Sequence, residues 1–394
     1  MEKVLVDVSG VASATSGSPI WDSLPRNETV PARGLTSRGR SVTPSFRRAR
    51  CVEHPVKIGG SYGSPYSMKM RAVLRYRRIP HQWIPRDSEF DDLPEPPVRL
   101  QPTLAFPDEM GDYPDSMVDS SPQIMRLEGL EAERSVVPAD PALAFLDHLL
   151  EDFADEWCTK MMYHYRWHNL YPEAIEKAGL LLPLAQNLQM PSPIHEAATA
   201  MIRDRQVGRT ALVGSTDGNR KAIEDSYVRL LHLLEAHLAQ EPFLFGSRPG
   251  CSAFGLYGQL TQLTRFEAHS ARLAVKHSPR TVVWVDHIDD LHWWPVDGAS
   301  GWFDRDQLPA STLALLGEAG RTYAPFMLAN AAALAAGEDK LVVAIDSVGF
   351  SQAPFKYQAK CLGWIRSKYE ELDDQDRSWV DDQLDSTGCE KLLV

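Results

Sequence analysis

Residues 56–70, Val-Lys-Ile-Gly-Gly-Ser-Tyr-Gly-Ser-Pro-Tyr-Ser-Met-Lys-Met, constrain the fold more than any other stretch of the chain. A short β-prone run ends in a Gly/Ser-rich turn, and Ser64 stands directly before Pro65 and a helix-forming run. Ser before Pro is a helix start. The serine oxygen caps a free amide, and proline fits the first helical position because it has no N–H to leave unpaired. Such a start gathers unpaired N–H groups at the positive end of a helix dipole, where an anion, a thiolate included, is stabilised. The same pattern also serves simply to start a helix, so local sequence alone leaves both readings open.

The surrounding chain bounds the alternatives. At 394 residues it holds two or three domains, and 43% hydrophobic with 24% charged residues is an ordinary globular composition. A net charge of −12 disfavours nucleic acid or an anionic membrane as the main partner. The longest apolar stretch, Ala324–Gly337, is too short to span a bilayer and reads as a buried helix. Five cysteines, Cys51, Cys158, Cys251, Cys361 and Cys389, lie far apart without a C-x-x-C. They form neither a disulfide framework nor a zinc pattern and fit a reducing, cytoplasmic setting.

Residues 1–52 carry eight Lys/Arg against four Asp/Glu and keep no helical or strand period, so they read as a disordered tail. From Val56 the elements alternate: a strand, a helix over 65–77, a second strand at His81–Ile84, a third at Thr103–Phe106 and a fourth near Tyr113–Val118. Asp119-Ser120-Ser121-Pro122 then starts another helix. These make one small α/β domain over 53–130. After a linker at 131–139 the period turns helical over 140–168, 194–206, 218–240 and 252–278, within an all-α domain taken to residue 300. His287–Trp302 reads as an acidic, Trp-rich loop with a packing role. An extension over 301–394 follows, with helices at 312–337, 356–372 and 376–386 and a hairpin at 341–350 turning on Asp346-Ser347.

This order, headed by Ser64-Pro65-Tyr66-Ser67-Met68-Lys69-Met70-Arg71, resembles the glutathione S-transferase family, closest to its serine-type theta, zeta and tau classes. Gln101-Pro102-Thr103-Leu104 is similar to the family's Val-Pro-x-Leu, whose proline is cis. Asp119-Ser120-Ser121-Pro122-Gln123-Ile124 is similar to the Glu/Asp-Ser-x-x-Ile start of its third helix. Gly246-Ser247-Arg248-Pro249 through Leu260 resembles the loop and buried helix of its C-terminal domain. The resemblance spans about 56–280. It implies a thioredoxin-like N-terminal domain followed by an all-α C-terminal domain, with glutathione as co-substrate, no metal, and a homodimer.

Residue by residue, the resemblance implies that the Ser64 hydroxyl holds the glutathione sulfur as thiolate, with Tyr62 and Tyr66 as alternative hydroxyls. A thiol's ordinary pKa is about 8.5, so a donated hydrogen bond at a helix N-terminus is what neutral-pH reactivity requires. Asp119 and Ser120 would hold the γ-glutamyl end, and the backbone of Gln101, set by Pro102, would pair with the cysteinyl unit. Tyr163, Tyr165 and Trp167 are candidates to line the pocket for a small hydrophobic electrophile, although an aromatic run at this spacing is more often core. His148, Asp152, Glu156, His164 and His168 drift along one helix face, a stripe more typical of an amphipathic acidic helix than of a metal site. Two departures stand out. Gly250-Cys251-Ser252-Ala253 lacks the aspartate of the family's capping box, a loss of about 1 kcal/mol. Leu100 replaces a lysine found in many members, with Arg99 beside it. A transferase and a catalytically silent scaffold on the same fold both remain compatible with these residues, whereas a thiol–disulfide oxidoreductase would need cysteine where Ser64 stands.

Overall fold

The computed structural model describes residues 54–130 and 133–394, so the 1–52 tail lies outside the described residues. Strand β1 (Val56–Gly60) leads into α1 (Pro65–Tyr76), which returns to β2 (His81–Pro85). β1 is central. It pairs parallel with β2 and antiparallel with β3 (Thr103–Ala105), giving the order β2-β1-β3. Helix α2 (Ser120–Glu128) closes this thioredoxin-like unit. The expected fourth strand is reduced to one pairing, in which Leu104 and Met117 exchange two 2.8 Å backbone bonds.

The helical part begins with one continuous rod: α3 (Pro141–Phe153), a π-turn over Ala154–Cys158, and α4 (Thr159–Trp167). Around it pack α5 (Pro172–Gln186), α6 (Ser192–Val207), α7 (Thr210–Val213), α8 (Arg220–Leu238), α9 (Cys251–Thr261), α10 (Ala268–His277) and α11 (Pro279–Ile288). Every residue of α9 is buried and none is charged, so it forms the centre of the core. Gly258 explains how close α9 lies to α1: a Cβ there would stand 2.6 Å from the Pro65 carbonyl oxygen. Helices α5 and α11 are absent from the sequence reading. Pro183 inside α5 breaks the local signal, and neighbouring helices supply the stability that propensity does not.

The C-terminal stretch is ordered and packed onto the same core. It contains α12 (Ala310–Ala336), the hairpin β4–β5 (Leu341–Ile345 and Val348–Gln352), α13 (Lys356–Glu370) and α14 (Asp374–Leu384). The hairpin turns where expected, with Asp346 and Ser347 both at positive φ (49° and 65°), the geometry of a two-residue turn matched to strand twist. In the preceding loop, Trp294 is half-buried and donates to the Ser247 carbonyl, while Trp293 is exposed. Among the described residues no helix is long and apolar enough to cross a membrane.

Candidate functional site

Three loops of the thioredoxin-like unit carry the expected residues: the β1–α1 turn, the turn before β3 and the start of α2. Ser64 is the N-cap of α1, with extended backbone (φ −94°, ψ 118°), and its Oγ accepts the Ser67 N–H at 3.2 Å. Its own hydroxyl proton has no acceptor among the described residues, and the side chain has no exposed surface. The turn before it is held from behind. Buried Arg166 donates to the Gly63 carbonyl at 2.8 Å and pairs with Glu267, and Gln262 donates to the Tyr62 carbonyl at 3.2 Å. Sequence reading found neither side chain, because each lies about 100 residues or more from the turn it supports.

The two alternative hydroxyls have other tasks. Tyr66 donates to the Asp155 carbonyl at 2.8 Å, and burial, with Glu156 and Asp155 nearby, holds its phenol well above the usual range. Tyr62 is exposed, its ring packed against Trp83 and under the Arg71 guanidinium.

The Gln101–Pro102 bond is cis. The Gln101 side chain is buried and neither amide atom has a hydrogen-bond partner. At the start of α2, Asp119 adopts φ 82°, ψ 111°, a conformation costly for a residue with a Cβ and the kind of strain that collects at functional sites. Its Oδ2 accepts the Tyr357 hydroxyl at 2.8 Å, a donor delivered by α13 from 238 residues away. Burial, with Cys361 and Asp119 adding to it, pushes the Tyr357 phenol far up, so it stays protonated as the donor.

Ser120 is buried, and its Oγ accepts from Lys69 Nζ at 3.2 Å. Lys69 also donates to Glu151 and Asp155, each at 2.7 Å. Burial alone would lower the ammonium's pKa, but Asp155 and Glu151 outweigh it and hold Lys69 above the ordinary lysine range. Glu151 is correspondingly held far below the carboxylate range: burial opposes this, and Lys69 prevails. Arg99, beside Leu100, is engaged with Asp87.

The aspartate missing from the start of α9 is supplied by another helix. Asp147 of α3 accepts the Cys251 N–H at 2.8 Å and the Ser252 N–H at 3.1 Å, and bonds the Ser252 hydroxyl. Gly250 leaves room for it, since a Cβ there would collide with the carboxylate. Burial pushes the Asp147 carboxyl up to about 7 despite these donors. The expected loss of a cap is therefore corrected: the cap acts across two helices.

Tyr163, Tyr165 and Trp167 are core side chains. Tyr163 donates to the Gln206 carbonyl at 2.6 Å, Tyr165 packs against Tyr171, Tyr227 and His269, and Trp167 is fully buried. The His stripe is likewise spoken for. His164 bonds Ser215 and Glu224, His148 bonds Glu151, and His168 faces Asp217 at 3.5 Å. Among the described residues no three metal-binding side chains converge.

With this geometry in view, comparison with known families is decisive for the first unit. The description of the glutathione S-transferase N-terminal domain matches residues 59–135. The likeness is one of this domain, residues 59–135, to the N-terminal domain of glutathione S-transferases. No curated protein matches it. Solved structures similar to this chain include a glutathione S-transferase from Methylobacterium radiotolerans in complex with glutathione sulfonate, at 16% identity over 63% of this chain and 98% of that one, TM-score 0.37. A tau-class enzyme from mango, Mangifera indica, is 19% identical over 66% of this chain and 95% of that one, TM-score 0.35. A β-etherase from Sphingobium is 17% identical over 60% and 95%, TM-score 0.40.

Proposed function

We propose that this chain binds glutathione against the β1–α1 turn, the cis-Pro102 turn and the start of α2, and that Ser64 keeps its sulfur as thiolate for attack on a small hydrophobic electrophile. In this reading the Gln101 backbone pairs with the cysteinyl unit, and Asp119 and Ser120 receive the γ-glutamyl end at the positive pole of α2. The division into a glutathione domain (53–130), a helical domain (140–300) and an extension (301–394), joined into a homodimer in the cytoplasm, belongs to the same reading. The observation that supports it most is the state of the Ser64 hydroxyl. It accepts an amide N–H and gives its own proton to none of the described residues, so that proton is available to a sulfur. A donor to the thiolate favours the charged form and lowers the thiol pKa.

A second reading, a binding or scaffold protein without turnover, is favoured by three observations: Ser64 has no exposed surface, Ser120 is engaged by Lys69, and Asp119 by Tyr357. Glutathione titration with the full-length chain, followed by turnover on a panel of aromatic and alkyl electrophiles, separates the two. The transferase reading expects glutathione binding in both wild type and Ser64→Ala, with turnover in the variant lower by about 10²-fold, the effect of removing one donor from a developing anion. Ultraviolet thiolate absorbance of bound glutathione should shift to higher pH in the variant. Binding without turnover on any electrophile selects the scaffold, and no binding removes both.

A further inference from the structure

The turn that carries Ser64 is closed by its own chain but held by another part of the molecule. Ser61-Tyr62-Gly63-Ser64 is a four-residue turn in which the Ser64 N–H donates to the Ser61 carbonyl at 3.1 Å. The carbonyls of its two middle residues both accept from the helical part, Tyr62 from Gln262 at 3.2 Å and Gly63 from Arg166 at 2.8 Å. These two donors act as one unit. Gln262 opens a π-turn (Gln262–Phe266) after α9 and accepts a second Arg166 N–H at 2.7 Å, while a third goes to Glu267. Arg166, Gln262 and Glu267 are each at most 2% exposed. A buried ion pair is weak evidence for stability, but this one keeps a guanidinium N–H fixed on the turn. The effect reaches the serine through a single peptide unit. The Gly63 carbonyl and the Ser64 N–H lie in one plane, held by Arg166 at one end and Ser61 at the other. Rotation of that plane would swing the Ser64 Cβ and its hydroxyl, and Gly63, with no Cβ, offers little resistance of its own.

We propose that Arg166 and Gln262 are positioning residues for Ser64: through two carbonyl bonds the helical part sets the direction in which the serine proton is offered to a bound sulfur. The inference rests on the thiolate role proposed above for Ser64, and the variants are chosen to tell the two apart. Arg166→Lys keeps a cation beside Glu267, but a compact ammonium cannot span the Glu267, Gly63 and Gln262 acceptors as the planar fork does. The measurement is the ultraviolet absorbance of glutathione thiolate on the full-length chain, read across the range in which thiols titrate, with chemical denaturation alongside. Arg166→Lys is expected to hold about tenfold less thiolate than wild type at neutral pH, a deficit that closes as pH rises. Gln262→Leu should hold about threefold less, the weight of a weakened hydrogen bond to a charged group. Combined with Ser64→Ala, neither should add to the loss that Ser64→Ala produces alone, because a residue acting only through the serine has nothing left to position. An unchanged thiolate titration in both variants, or an equal further loss on top of Ser64→Ala, overturns the positioning role and leaves the Ser64 reading standing. Ser64→Ala without effect on the thiolate, or no glutathione binding to the wild type, removes both. Should Arg166→Lys fail to fold, Gln262→Leu decides by the same comparison.

Discussion

Two lysines, Lys69 and Lys160, are buried in seams of this molecule, and their surroundings are opposite. Lys69 joins α1 to α3 across the boundary between the thioredoxin-like unit and the helices, with carboxylates 2.7 Å away on two sides. Lys160 joins α4 to the C-terminal hairpin. It donates to the Val213 carbonyl at 3.1 Å and the Gln352 side-chain oxygen at 2.7 Å, and lies 4.2 Å from the centre of the Phe326 ring. Burial acts on both ammonium groups in the same direction. Carboxylate contact reverses it for the first, whereas burial pulls the second down to about 7, with only Glu156 opposing. One seam is locked by ions, and the other is held by neutral acceptors and rings such as Trp157 against Phe350 at 5.6 Å. Depth does not set a charge's state; its partners do.

The contrast breaks most visibly at Lys69. Lys69→Met leaves Glu151 and Asp155 buried without their cation, and chemical denaturation should register a loss of about 3–5 kcal/mol. A loss under about 1 kcal/mol would mean that the ionic seam contributes little. The opposite sign is expected at Lys160. Between pH 7 and its unfolded-state value of 10.5, the unfolded chain binds the proton that the folded chain has released. Stability therefore rises with pH through that window, by about 1.4 kcal/mol per unit from this group, and the full penalty stands below 7. Lys160→Met removes the slope and should stabilise the protein at pH 6 by about 1–4 kcal/mol. Denaturation of both proteins at pH 6, 7, 8 and 9 gives the difference directly, and a difference that does not change with pH rejects the neutral-seam account. The smallest effect belongs to Tyr357, whose hydroxyl donates from α13 to Asp119. Tyr357→Phe should cost about 1 kcal/mol of stability. By removing that one donor from the Asp119 carboxylate it should lower the glutathione Kd by up to about fivefold, the equivalent of one modest hydrogen bond. An unchanged Kd would separate the extension from the glutathione seat.

How far the sequence alone reaches follows the range of the forces involved. The start of α1 was legible because Ser64-Pro65 encodes it within two residues, and the hairpin because Asp346-Ser347 tolerates positive φ. The run Gln101-Pro102-Thr103-Leu104 likewise pointed to the cis bond through its likeness to a family pattern. What escaped was carried by distant partners. Asp147 caps a helix 104 residues on, Arg166 steadies a turn 103 residues back, and Tyr357 meets Asp119 across 238 residues. No periodicity links such positions. The aromatic run Tyr163–Trp167 shows the converse: its spacing is common to core and pocket, and only its burial distinguished them.

The bare backbone at position 258 has one more implication. Glycine inside a helix costs about 1 kcal/mol against alanine, yet here alanine would drive a methyl carbon into the Pro65 carbonyl, at the first turn of the very helix that Ser64 caps. The position has a one-letter vocabulary, and a wedge inserted there would be felt at the serine hydroxyl before it was felt anywhere on the surface.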